Sequence, residues 1–437
     1  MLNYIWLALI LAAVLLGGAH GSFKEVTDAA FDSAKTAVMN IALPLAGIMA
    51  LWLGIMRLAE RSGLVQVLAR GLRPILRRLF PDVPADHPAM GAMVMNIAAN
   101  MLGLGNSATA LGLRAMQRLE RLNPHPGTAT NAMCTFLAIN TSSVQLIPVT
   151  AIGILAASGS ANPTVIIGPA LAATSCAAAA AIIAVKMLER LPMFAAPPAQ
   201  TGNGEPVETA PPDEEEASPA PIPLRWWGFL LLAALAMCFA WWFARDAFLA
   251  HAPANPASSS WSQAVTAASN LAVPFFLSFF PLYAFCRGVK VYEEFVEGAK
   301  EGFQVAVRII PYLVAILVAV GLFRAAGGID MLAHWLQPIL GRIGFPVDLL
   351  PIALVRPLSG GATIGLFGEL VKAHGPDSFV ARTAGVILGS TETTFYVLAV
   401  YFGSVGIRRT RHAVLAGLAA DITGVVASFI ICKALFS

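Results

Sequence analysis

The sequence predicts an all-α polytopic membrane protein, built as two inverted-topology repeats with about nine transmembrane helices and two re-entrant helical hairpins. Three observations point there. Of 437 residues, 57% are hydrophobic and only 12% charged, with a mean hydropathy of +0.72, far outside the soluble globular range. Two polar clusters, Asn140-Thr141-Ser142-Ser143 and Ser390-Thr391-Glu392-Thr393, sit inside hydrophobic segments long enough to cross a bilayer. Such groups cost free energy at membrane depth unless they face a protein interior or a water-filled path. The third observation is that the same order of elements occurs twice along the chain.

Apolar runs near the ~20 residues a bilayer demands cover residues 2–18, 36–56, 131–154, 164–185, 226–248, 264–285, 303–323, 379–402 and 413–435. No Lys or Arg precedes the run at 2–18, so a first membrane helix is expected there in place of a signal peptide. Stretches 88–111 and 349–370 are apolar but interrupted. The first contains Asn100-Met101-Leu102-Gly103-Leu104-Gly105-Asn106-Ser107-Ala108-Thr109, the second Arg356-Pro357-Leu358-Ser359-Gly360-Gly361. A break in mid-membrane leaves backbone groups unpaired, which is tolerated only under protein or beside a water-filled cavity. Both stretches are therefore read as re-entrant hairpins, with kinked continuous helices as the alternative.

Charge orients the passes. Arg57, Arg61, Arg70, Arg73, Arg77 and Arg78 follow the second pass, and Arg114, Arg118 and Arg121 follow the first hairpin; both groups are cytoplasmic if the hairpin returns to its own side. Loops 157–163 and 251–261 carry no Lys or Arg and fall outside, whereas Lys186, Arg190, Arg287, Lys290, Arg408, Arg409 and Arg411 fall inside. The N-terminus is then cytoplasmic and the C-terminus outside. Helix 64–80 is basic and amphipathic and is expected along the cytoplasmic interface.

Residues 191–224 are expected to form a cytoplasmic linker rich in Pro, Ala and Glu, with Asp213-Glu214-Glu215-Glu216 and no apolar periodicity. The linker separates a repeat at 1–190 from one at 225–437. Each repeat holds a pass, an amphipathic helix ending in Leu72-Arg73-Pro74-Ile75-Leu76 or Leu336-Gln337-Pro338-Ile339-Leu340, a hairpin, a pass with a polar centre and a final pass. The first copy starts outside and the second inside. Inverted repeats with broken helices near the midplane commonly hold a solute site between them.

The residues expected to contact a solute are Glu392 with its neighbours Ser390, Thr391 and Thr393; Asn140, Thr141, Ser142 and Ser143; Asn106 and Ser107 at the first hairpin tip; Ser359 at the second; and Asp421, a carboxylate deep in the last pass. Apart from the carboxylates these are neutral donors and acceptors, with Asn96, Asn100, Thr109 and Gln145 near them, a lining that suits a neutral or zwitterionic polar solute. Packing between helices is the competing reading for each of them. Arg356 is placed to hold Glu369, Asp421 or an anionic group. The five cysteines are scattered singly and read as buried free thiols, and the histidines lack metal-binding spacing. No metal, cofactor or nucleic acid is expected.

Residues 100–109, followed by Leu111-Gly112-Leu113-Arg114-Ala115-Met116, resemble the signature of the spore maturation protein A family. Arg356-Pro357-Leu358-Ser359-Gly360 and the run 389–403, with Glu392-Thr393-Thr394-Phe395-Tyr396 inside it, look like the spore maturation protein B family. Both carry the nucleoside-recognition, or Gate, domain, so the resemblance implies two Gate repeats fused through the acidic linker. It also implies that Glu392 sits where a Gate broken helix presents a substrate-contacting carboxylate, with Ser142 at the matching point of the first half.

The function expected is movement of a small polar solute, nucleoside-like or otherwise neutral or zwitterionic, across the cytoplasmic (inner) membrane. A coupling ion, proton or sodium, and a homodimer belong to that expectation. The alternative is a non-transporting membrane scaffold or regulator of an envelope enzyme or partner permease. An enzyme is not expected, because no nucleophile and base occur at compatible positions.

Overall fold

A computed structural model describes residues 2–84, 86–103, 105–194, 223–246, 260–328, 331, 335 and 344–436. The described chain is helical throughout. In order the helices are α1 (Leu2–His20), α2 (Phe23–Lys35), α3 (Leu43–Arg61), α4 (Leu64–Leu79), α5 (Pro88–Met101), α6 (Gly105–Glu120), α7 (Asn131–Ser142), α8 (Val149–Ala157), α9 (Ile167–Leu188), α10 (Trp226–Ala244), α11 (Ser260–Cys286), α12 (Val291–Ala325), α13 (Leu350–Val355), α14 (Gly360–His374), α15 (Phe379–Ser390), α16 (Thr394–Gly403) and α17 (Ala413–Phe436). A π-helical segment, Thr36–Ala42, joins α2 to α3 without interruption. Among the described residues five stretches are long and apolar enough to cross a membrane: Phe23–Arg61, Pro163–Leu188, Trp226–Ala244, Phe379–Gly403 and Ala413–Phe436. The linker expected at 191–224 and the second Leu-x-Pro-Ile-Leu run lie almost wholly outside the described residues, as does most of the 251–261 loop.

Both interrupted stretches are hairpins whose ends meet. Arg118 Nη1 donates to Pro88 O at 3.1 Å, closing α5 against α6, and His374 Nε2 stands 3.5 Å from Asp348 Oδ1, closing α13 against α14. The two passes with polar centres, continuous by hydropathy alone, are both broken, as the family resemblance implies for Glu392. Residues 131–154 divide into α7 and α8, and 379–402 into α15 and α16. Local chemistry sets these boundaries. Thr130 and Ser378 cap α7 and α15 by accepting the N–H groups of Met133 and Ala381. Ser143 ends α7 in the left-handed region at φ 35°, and Pro148 precludes a helical hydrogen bond at the start of α8.

The broken helices run antiparallel, tied at each end. The N–H groups of Arg408 and Arg409, just after α16, donate to Gly127 O, just before α7, at 2.9 and 3.0 Å. At the far end Asp377, just before α15, accepts from Ser160 Oγ at 2.7 Å and Ala161 N at 2.9 Å, just after α8. Helices α7 and α15 each pack against both α9 and α17. A second seam joins α3 to α12. A Cβ on Gly302 would stand 2.5 Å from Met49 O, and one on Gly298 2.5 Å from Leu53 O, so only glycine permits this approach of backbones.

The thiol expectation needs correction. Cys134, Cys286 and Cys432 are buried, but Cys176 on α9 and Cys238 on α10 are exposed, because the outer faces of membrane helices contact lipid and tolerate an apolar thiol there.

A candidate solute site between broken helices

Four interruptions meet near the centre of the molecule. Leu146 N, between α7 and α8, donates to Met101 O at the first hairpin tip, and Phe395 N, at the start of α16, donates to Pro357 O at the second, both at 3.0 Å. Glu392 N then donates to Thr141 O at 2.7 Å, joining the two broken helices. These bonds answer the problem of a break in mid-membrane. Each unwound strand satisfies another, where an unpaired group would cost several kcal/mol (~2–7).

Beside this joint lies a cavity of about 300 Å³, lined from the breaks by Asn140, Gln145, Glu392, Tyr396 and Tyr401, from the first hairpin by Asn100, Gly103 and Thr109, and from α3 and α12 by Trp52, Met56, Arg57, Glu60 and Glu301. The α3 residues recur at helical spacing, so one face of that helix forms the wall. Glu392 is half-buried, its side chain 37% exposed. It accepts from Gln145 Nε2 at 3.4 Å, and Arg356 Nη2 stands 3.9 Å away. Asn140 is held by three bonds: its Oδ1 accepts from Asn100 Nδ2 at 2.8 Å and from Tyr401 OH at 3.4 Å, and its Nδ2 donates to Phe136 O at 2.9 Å.

Of the residues expected to contact a solute, only Glu392 and Asn140 line the cavity among those whose side chains are described. The others support the breaks. Thr174 Oγ1 on α9 donates to the carbonyls of Ser142 and Ser143, at 2.7 and 3.2 Å, and Thr141 contributes the carbonyl already described. Ser390 Oγ bonds back to Ile387 O, Thr393 Oγ1 accepts from Arg356 Nη1 at 3.3 Å, and Ser359 caps α14 by accepting from Ala362 N. Thr391 is buried, its Cγ2 2.7 Å from where a Cβ on Gly424 of α17 would stand. Asp421 on α17 accepts from Thr394 Oγ1 and so does for the second break what Thr174 does for the first. Asn106 and Ser107 fall in the first turn of α6, with side chains outside the described residues.

Two expectations change. Glu369 is paired with Arg324 at 3.2 Å, which frees Arg356 for Thr393 and Glu392. The site is also less neutral than its polar clusters suggest, because Arg57, Glu60 and Glu301 enter from helices that sequence reasoning treated as topology anchors or ignored. Arg57 spans Glu294 and Glu301, each at 3.1 Å, and Arg61 reaches Glu294 at 3.2 Å. Among the described residues no group of three His, Cys, Asp or Glu side chains is arranged to hold a metal ion.

Paired hairpins and paired broken helices, knit at their tips beside a polar cavity, define a polytopic helical membrane protein of the Gate class. The chain belongs to the Gate, or nucleoside recognition, family, whose model matches residues 42–158 and 306–408. Two relatives from Bacillus subtilis (strain 168) bear out the resemblance read from the sequence. Spore maturation protein B is 48% identical over 164 residues, 38% of this chain and 92% of the relative. Spore maturation protein A is 43% identical over 183 residues, 42% of this chain and 93% of the relative. A solved structure, the Alcanivorax borkumensis YdaH transporter, aligns over 99% of this chain and 96% of its own at 12% identity and a TM-score of 0.40.

Proposed function

We propose that this protein is a transporter of a small polar solute in the cytoplasmic membrane, with inverted Gate repeats at 1–190 and 225–437 joined by a cytoplasmic linker at 191–224. The observation that carries this reading is the joint of four interrupted helices beside a cavity into which the Glu392 carboxylate projects. Broken helices at a repeat interface are a recurrent way of presenting backbone and side-chain groups to a solute. The antiparallel course of α7/α8 against α15/α16 supports the inversion. Glu392, Asn140 and Gln145 contact the solute; Thr141, Ser142, Ser143, Ser359, Ser390, Thr391, Thr393 and Asp421 hold the breaks. The loop contacts fit the orientation drawn from charge: Ser62 with Arg287, and Gly127 and Phe194 with Arg408–Arg411, join segments expected in the cytoplasm, while His20 with Ala326 and Ser160 with Asp377 join segments expected outside.

The test is Gln145→Cys in a background lacking the five native cysteines, probed in oriented vesicles with a membrane-impermeant thiol reagent. Reaction from the Arg57 side, diminished by an added solute that occupies the cavity, is the expected result. A folded Gln145→Cys protein whose introduced thiol resists the reagent from both sides would overturn transport and favour a closed scaffold.

A further inference from the structure

Helix α17 passes both breaks outside the cavity lining, and two buried oxygens there lack partners. A Cβ on Gly417 would stand 3.5 Å from Thr141 Oγ1 of the first break and 3.5 Å from Thr394 Oγ1 of the second, and one on Gly424 3.1 Å from Ser390 Oγ. Asp421 lies one turn beyond Gly417 on the same face of the helix, a spacing that sets Cβ positions about 5–6 Å apart. It is 3% exposed; its Oδ2 accepts from Thr394 Oγ1, while Oδ1 has no hydrogen-bond partner. Thr141 is fully buried, and its Oγ1 has none either. Arg356 gives Nη1 to Thr393 and holds Nη2 beside Glu392, and among the described residues no Lys, Arg or His pairs with the Asp421 carboxylate.

A carboxylate oxygen so deeply buried is strongly penalised unless something positive meets it. A proton on Oδ1 would leave the Thr141 oxygen, one turn away, unmet, whereas a metal cation takes lone pairs from both. The ligands at hand are hard oxygens: Asp421 Oδ1 and the hydroxyls of Thr141, Thr394 and Ser390. One carboxylate matches one positive charge. Calcium and magnesium call for more oxygen ligands, or for retained waters, than so closed a place supplies. The space is also tight, since a Cβ on Gly417 or Gly424 would come within 2.7 Å of Thr394 Cγ2 or Thr391 Cγ2. We infer that a dehydrated sodium ion binds between Asp421 and Thr141. It clamps the second break to the first where Glu392 N already bonds Thr141 O. The site does not depend on the transport reading; given that reading, sodium is the coupling ion, because its binding fixes the segment that carries Glu392.

The test follows the thermal midpoint of the purified full chain in detergent at fixed pH, as N-methylglucamine chloride is replaced by sodium or potassium chloride at constant ionic strength. A ligand that binds the native state raises stability by mass action. Sodium is expected to raise the midpoint saturably, and potassium far less at the same concentration. Asp421→Asn should abolish the sodium shift. Thr141→Val removes an oxygen that bonds to nothing in the fold and so strands no partner. It should raise the half-effective sodium concentration by roughly tenfold or more, the scale of a lost outer-shell partner at a metal site, and it decides the matter if Asp421→Asn fails to fold. Glu392→Gln should keep the shift.

Equal midpoints in all three salts overturn the inference. A midpoint that ignores sodium but rises on acidification in the parent, and not in Asp421→Asn, assigns a proton to the carboxylate and overturns it as well. So does a sodium shift lost in Glu392→Gln and kept in Asp421→Asn and Thr141→Val, which places the ion in the cavity. The transport reading is untouched by these results and stands or falls with the reactivity of the thiol introduced by Gln145→Cys.

Discussion

At the first break, between α7 and α8, Ser143 occupies the left-handed region at φ 35° and neutral groups do the work: Thr174 holds the Ser142 and Ser143 carbonyls, and Asn100 holds Asn140. At the second, between α15 and α16, Thr391 is extended at φ −144°, and charged groups do it: Asp421 accepts from Thr394, and Arg356 bonds Thr393 beside Glu392. The backbone solution is shared, since each break receives a hairpin tip and they join each other through Glu392 N and Thr141 O. The side-chain solutions have parted. Charge is concentrated on one side of the joint, which leaves the other to shape and hydrogen bonding, so the cavity has two unlike walls.

The contrast can be broken most directly at its charged member. Arg356→Met removes a guanidinium only 4% exposed and strands Thr393 and Glu392; we expect a loss of about 2 kcal/mol, read as a fall in thermal midpoint in detergent. The neutral counterpart, Asn100→Ala, should cost about 1 kcal/mol. Equal losses would mean that the two breaks are held alike.

Backbone substitutions sharpen the comparison. Glycine suits φ 35° and relieves the strain of a serine there, so Ser143→Gly is expected to be neutral or stabilising by up to about 1 kcal/mol. Thr391→Gly frees an extended residue that any side chain tolerates and should destabilise by about 1 kcal/mol. Matching signs in a denaturation series would show that the two breaks do not differ in backbone.

Acid should separate the two ties that hold the broken helices end to end. Beside the Gly127 tie, burial pushes the His412 imidazole down to about 4, aided by the Arg411 and Lys186 charges. The unfolded chain binds that proton from about pH 6.5, so stability is present above that value and is lost between there and about pH 4. The loss should be on the order of 1 kcal/mol by pH 5.5, and His412→Leu should flatten it. At the other tie, Ala161 N–H and the Ser160 hydroxyl hold the Asp377 carboxyl below its ordinary range. Its contribution is present above the unfolded carboxyl value and disappears only as pH falls below it. Asp377→Asn should therefore cost a few tenths of a kcal/mol to about 1 at neutral pH, and the difference from the parent should vanish in strong acid.

Much of this architecture was legible because the membrane penalises irregularity. Gly and Asn at 100–106 and Ser-Gly-Gly at 359–361 had to mark interruptions, and Glu392 had to mark a place shielded from lipid. The breaks at 142–148 and 391–393 were harder to see, since each lies in an apolar run long enough to be an ordinary span; Pro148 was the available signal in the first. Arg57 and Glu301 were not legible as lining residues. Arg57 sits among arginines that satisfy the topology rule, and Glu301 lies in the charged first half of α12, so only the α3–α12 approach reveals where they point. Thr174, beside Ser175 in an alanine-rich helix, gave no warning that it holds a break.

The α3–α12 seam has one more implication, for stoichiometry. Gly298 and Gly302 let α3 and α12 lie backbone to backbone, and that contact fixes where Arg57 meets Glu294 and Glu301. Because both helices belong to one polypeptide, the encounter is intramolecular and its effective concentration is set by the connecting chain. One copy of each half is guaranteed at every expression level, and dilution does not dissociate the seam.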